Sequence, residues 1–165
     1  MSISATILPE FDQEIANLRK ALARVPDDKF DWKPHPRSNT MGWLANHLAN
    51  LPSWATFTIK EDVLNLTGEY KEPQGSNTAE VLAIFDKNLA EGRKLIEGAT
   101  DEQLMAMWKL LFNGKEVMSM PRLAVIRGMI MNHMIHHRAQ LTVYFRLNDV
   151  PVPALYGPSA DEGSF

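Results

Sequence analysis

Three of the chain's five histidines fall within five positions of the stretch NHMIHHRAQL, as His133, His136 and His137. Successive residues on a helix turn by about 100°, so His133 and His137 stand about 40° apart and one turn apart along the axis, close enough to reach one ion. His136 lies about 60° to the other side of His133 and about 100° from His137, where it can flank such a site without joining both neighbours on it. A further histidine, His47 in GWLANHLA, occupies the stripe Leu44, His47, Leu51 and Trp54, whose spacing marks the buried face of a helix. The fifth, His35, sits between Pro34 and Pro36 and is expected to face solvent, unrelated to the others.

A single inward histidine is ordinarily a hydrogen-bonded core residue, because a buried imidazole must be paired. Three on two facing stripes, His47, His133 and His137, repel one another when protonated and need either a shared ligand or a careful hydrogen-bond network. The spacing excludes zincin chemistry, which needs a glutamate directly after the first histidine or directly before the second, where Met134 and His136 stand. It also excludes a di-iron bundle, since the positions three residues before each histidine hold Leu44, Ile130 and Met134. The remaining arrangement is a mononuclear three-nitrogen site with an open coordination position, as in catalytic zinc. An ion there lowers the pKa of bound water to about 7 or deprotonates a thiol. Imidazole suits zinc, nickel, copper and ferrous iron alike.

These residues need helices to hold them. Ile7, Phe11, Ile15, Leu18, Leu22 and Val25 predict a first helix ending before Pro26. PDDKFDWKPHPRSNT reads as a loop, and Thr40 as the N-cap of the helix that carries His47. Pro52 predicts a kink or a restart about a turn past His47. After the loop TGEYKEPQGS, Asn77 with Glu80 matches a capping box, and Leu82, Phe85, Leu89 and Ile96 predict a third helix finishing near Gly98. In residues 100–120 the pair Asn113-Gly114 suggests a tight turn, in a short hairpin or a plain connection. The last helix is expected from Ser119 or Met120, with Pro121 in its first turn and the stripe Leu123, Ile126, Ile130, His133, His137, Leu141 and Tyr144. The tail NDVPVPALYGPSADEGSF reads as irregular chain wrapped over the helices. Four amphipathic helices without a persuasive strand predict an all-α protein, an antiparallel four-helix bundle with long connections, as a single domain over residues 1–165.

A net charge of −3 and a pI near 5.9, with scattered Lys and Arg, argue against nucleic acid as a partner. The absence of cysteine excludes disulfides, a thiolate nucleophile of the chain's own and a sulfur-ligated zinc site, so any activated thiol comes from outside. The N-terminus lacks the pattern of a secretory signal, and the last helix is interrupted by Arg127, three histidines and Arg138, so a soluble cytoplasmic protein without membrane contact is expected. Trp43, Trp54, Met129, Met131 and Met134 fall on helices where core packing explains them. Arg138 points about 100° away from His137, toward a carboxylate or the tail rather than a substrate.

GWLANHLA, HMIHHRAQL and the tail VPVPALYGPSADE, with the early VPDDKFDWKPHP, resemble the DinB/YfiT-like superfamily of metal-dependent enzymes; residues 67–118 are too generic to contribute. The resemblance implies a four-helix bundle with long crossing connections, one divalent ion, zinc or nickel with iron also compatible, on His47, His133 and His137, and a homodimer. It also implies a small-molecule substrate. Relatives include S-transferases that use the low-molecular-weight thiols bacillithiol or mycothiol, a maleylpyruvate isomerase and metal-dependent hydrolases. The expected function is therefore activation of a thiol or water for transfer to, or hydrolysis of, a small electrophile. The alternative is a non-catalytic metal- or ligand-binding stress-response protein. No acid, base or hydroxyl is obliged to be catalytic; Tyr156, Asp161 and Glu162 in the tail either reach over the open position or, the favoured reading, cap helix ends and face water.

Overall fold

The computed structural model describes residues 2–69 and 71–163. Helix α1, Ile3–Leu22, is capped by Ser2, whose Oγ accepts from the Ala5 amide, and it buries Ile7, Phe11, Ile15, Leu18 and Leu22 along one face. A turn of 3-10 helix, Asp27–Lys29, begins the loop to α2, Met41–Asn50. That loop is fastened at its end, where the Met41 and Gly42 amides donate to the carbonyls of Trp32 and Phe30 at 2.8 Å each. Gly42 is required there: a Cβ would stand 2.5 Å from the Phe30 ring.

Thr40 caps α2 as expected, accepting from the Trp43 amide at 3.1 Å. Pro52 ends the α-winding, giving way to a 3-10 turn, Leu51–Ser53, and the chain restarts as α3, Trp54–Lys60. On the back of α2, two buried asparagines hold the next loop: Asn46 exchanges hydrogen bonds with Gly75, and Asn50 donates to the Pro73 carbonyl. Asn77 then caps α4, Thr78–Gly98, accepting from the Glu80 amide at 3.0 Å, while the Glu80 carboxylate turns back onto the Ser76 amide. Gly92 lets α4 lie against the 3-10 turn, since a Cβ would meet the Pro52 carbonyl oxygen at 2.6 Å. A short α5, Asp101–Met105, completes this half.

The expectation of a purely helical bundle is corrected by a small sheet. Strands β1 (Val63–Leu66), β2 (Met107–Phe112) and β3 (Lys115–Pro121) run in the order β1-β2-β3, with β1 parallel to β2 and β2 antiparallel to β3. The hairpin turns on Asn113 and Gly114 at φ 49° and 78°, the left-handed pair that a tight two-residue turn demands. Asn65 of β1 accepts from the Gly114 amide at 2.9 Å, which ties the parallel strand to the turn. β3 continues to Pro121, so the last helix starts later than expected, at Arg122.

That helix is continuous but unevenly wound: α6, Arg122–Val125, passes into a seven-residue π segment, Ile126–Asn132, and then into α7, His133–Arg146. Buried Arg122 anchors its start, donating to the carbonyls of Thr58 at 2.8 Å and Glu61 at 3.1 Å and to the Asp62 carboxylate. The core lies among the four long elements: α1 packs on α4 and α7, and α2 packs on the same two helices. The fold is thus mostly helical with a three-stranded appendage.

Candidate metal centre

His47 projects from the middle of α2 and His133 and His137 from the first two turns of α7, and the packing of α2 on α7 brings the three rings together. His133 Nε2 lies 3.3 Å from His47 Nε2 and 2.8 Å from His137 Nε2. Tetrahedral metal sites with bonds of about 2.0–2.1 Å separate their nitrogens by about 3.3 Å. The His47–His133 separation matches that value, the His133–His137 separation is tighter, and the ligand atoms of all three lie within 4.8 Å of one another. All three residues are half-buried at the rim of the bundle, less deep than the core stripe implied. On α7 the fully buried stripe is Met134, Arg138, Leu141 and Phe145, because Arg138, paired with Glu14, takes a core position, and the two histidines of that helix sit on its shoulder.

The hydrogen bonds around the rings favour lone pairs at the centre. His137 Nδ1 bonds to Gln140 Oε1 at 2.8 Å. An amide oxygen only accepts, so the proton is on Nδ1 and Nε2 presents its lone pair to His133. The His133 ring also bonds to the Met129 backbone. At 2.8 Å, His133 Nε2 either donates a proton to that lone pair of His137 or shares a cation with it. That donor set, three imidazole nitrogens without a carboxylate, is capable of coordinating a divalent ion.

Two of the imidazoles, His47 and His133, are also biased toward the neutral, ligating form. Burial, reinforced by the charges of His133 and His137, pushes the pKa of His47 down to about 4. Burial is again the first cause for His133, whose pKa is lowered with help from His137 and His136 and against the Met129 bond.

His136 is exposed and outside the trio, its ring edge-on to His137 at 4.9 Å. The Gln140 amide donates to its Nε2 at 3.0 Å, so one side chain spans His136 and His137. Gln140 was not singled out in the sequence, although its place three residues after His137 and four after His136 was a usable signal. Trp43 corrects the core expectation: it is 43% exposed and stacks on the His47 ring at 5.0 Å and 13°, one turn before it on α2.

A cleft of about 400 Å³ opens beside the trio, bounded by Arg37, Ser38, Trp43, His137, Gln140 and Tyr144 among others. A hollow of about 480 Å³ between α3 and α4 is larger, but its charged pair, Lys60 and Glu91, is satisfied internally and no histidine lines it.

The tail residues are committed elsewhere. Arg138 is buried, with 1% exposed, and donates to the Glu14 carbonyl at 3.0 Å, its carboxylate at 2.6 Å and the Tyr156 hydroxyl at 2.5 Å. Tyr156 donates to the same carboxylate at 2.7 Å, and burial together with that bond pushes its phenol pKa up. Asp161 accepts from Arg146 and the Val152 amide, which hold its carboxyl below the usual range. Glu162 pairs with Arg24 and accepts from the Ala154 amide. His35 is exposed and accepts from the Arg37 amide at 3.1 Å.

A helical fold with a trio of histidines on two helices describes a known class of protein. A sequence profile of the DinB superfamily matches residues 10–141, and the chain belongs to that superfamily. Among solved structures, a DinB-like protein from Bacillus cereus ATCC 10987 superposes with a TM-score of 0.74 at 24% identity, covering 94% of this chain and 98% of the other. A DinB-like protein from Bacillus subtilis gives 0.66 at 18% identity, covering 90% and 96%. No curated protein matches the sequence. Among the described residues, no helix is long and apolar enough to cross a membrane.

Proposed function

We propose that His47, His133 and His137 hold one divalent transition metal ion, zinc or nickel in the first place, and that the protein uses it to activate a small thiol or water for attack on a small electrophile. The convergence of three Nε2 atoms beside an open cleft carries this reading. An ion bound there supplies a Lewis acid that lowers the pKa of a water or thiol. The chain's own contribution is orientation. Gln140 fixes the tautomer of His137, the Met129 backbone fixes His133, and the Trp43 indole covers one face of His47. Among the described residues no carboxylate joins the trio, so the proton lost by a nucleophile passes to solvent or to the substrate's leaving group.

A second reading, a metal-tied but non-catalytic stress protein, is favoured by one observation: the trio links α2 to α7 and so can act as a staple. The two readings separate on His137→Ala. Elemental analysis of untagged protein should fall from about one equivalent of metal to near none. A catalytic site then predicts loss of metal-dependent thiol consumption against a panel of electrophiles with a modest change in melting temperature. A staple predicts a large drop in melting temperature and no turnover in the parent protein. Untagged parent protein without metal sinks both.

A further inference from the structure

The chain has eight arginines, and seven of them hold a carboxylate: Arg19, Arg24, Arg93, Arg122, Arg127, Arg138 and Arg146. The eighth, Arg37, has neither an ion pair nor a side-chain hydrogen bond among the described residues. It lines the cleft that opens on His137, and no acidic residue lines that cleft with it. Two neighbours are in the same condition, since Ser38 Oγ and the Asn39 side-chain amide have no hydrogen-bonding partner among the described residues. The loop that carries them is nevertheless pinned. The Ser38 amide donates to the His35 carbonyl at 2.9 Å, the Arg37 amide to His35 Nδ1, and the Tyr144 hydroxyl to the Asn39 carbonyl at 3.2 Å.

A pinned loop that presents one free guanidinium and two free polar groups to a cleft of small-molecule size is a recognition surface for an anion. Guanidinium matches carboxylate in two parallel hydrogen bonds, and the cleft that Arg37 and His137 line is also walled by the aromatic Trp43 and the apolar Leu44. We propose that the cleft binds a small organic acid, its carboxylate on Arg37 and its apolar body against Trp43, with the far end at the histidine trio. The acid is the molecule to be attacked, because the nucleophile forms at the trio; that last clause rests on the proposed function, whereas the anion contact does not.

Full-length protein, metal-free and zinc-loaded, is titrated at low salt with phenylacetate and with 2-phenylethanol, matched in shape and differing in charge, with tryptophan fluorescence as the readout. The metal-free protein should bind phenylacetate about fivefold more tightly than the alcohol, the size of one partly exposed ion pair, and the preference should shrink with added salt. In Arg37→Gln the preference should vanish, and in Trp43→Phe the fluorescence response should vanish. Equal binding of the two probes, no binding of phenylacetate, a preference that survives Arg37→Gln, or a response that survives Trp43→Phe overturns the inference. A preference seen only with zinc and unchanged in Arg37→Gln places the carboxylate on the ion, which overturns the inference and supports the metal reading. A preference lost in Arg37→Gln by a protein that takes up no zinc upholds the inference and removes the metal reading.

Discussion

The side-chain oxygen of Gln140 accepts a hydrogen bond from His137 Nδ1 at 2.8 Å, one turn along the same helix. The contact decides which ring nitrogen carries the proton and aims the other at the trio. Partners of this kind matter to metal affinity by about 10- to 100-fold. Gln140→Ala should weaken zinc binding by that factor without altering stoichiometry, as measured by competition with a chromophoric chelator. Unchanged affinity would mean that the tautomer is set by something else.

The depressed pKa of His47 makes a prediction about acid stability. The unfolded chain takes up a proton near pH 6.5 that the folded trio refuses until about pH 4, so the metal-free protein loses stability as the pH falls between those values. His133, shifted in the same direction, adds to the slope. Melting temperatures of metal-free protein should decline over that window, and His47→Asn, which does not titrate, should flatten the decline. A parent protein whose melting temperature holds constant from pH 7 to 4 would refute the burial account.

The Arg138 and Glu14 pair is buried on both sides, with 1% and 7% of the side chains exposed. Removing one partner strands a charge in the core, so Arg138→Ala or Glu14→Ala should cost about 3–5 kcal/mol by urea denaturation. The double change Glu14→Leu with Arg138→Met removes both charges and should cost far less than the sum of the two single changes. Additive losses would show that the two groups are not coupled.

Much of this scaffold could be read from residue spacing. The stripe of α1, the Thr40 and Asn77 caps and the restart after Pro52 obey local rules, each set by neighbours within a turn or two. The pair His133 and His137 is legible for the same reason, whereas the approach of His47 depends on how α2 packs on α7. The strands escaped because Met107, Leu110, Leu111, Met118 and Met120 are good helix formers with no clean alternation, although Asn113-Gly114 marked their turn. Trp43 has the same one-turn relation to His47 that core residues have to each other, and periodicity alone does not distinguish a buried face from the mouth of a cleft. The solitude of Arg37 is visible only after the other seven arginines have found their partners.

The π segment Ile126–Asn132 gives the stretch before the trio a residue to spare. With Arg122 held in place, loss of one residue there would let a wide turn close to an ordinary α turn, and the rest of the helix would keep its place. His133 and His137 would then still face His47. A one-codon gap in this stretch would therefore leave the three rings together, whereas the same gap between His133 and His137 would part them while leaving every one of the three histidines in the protein.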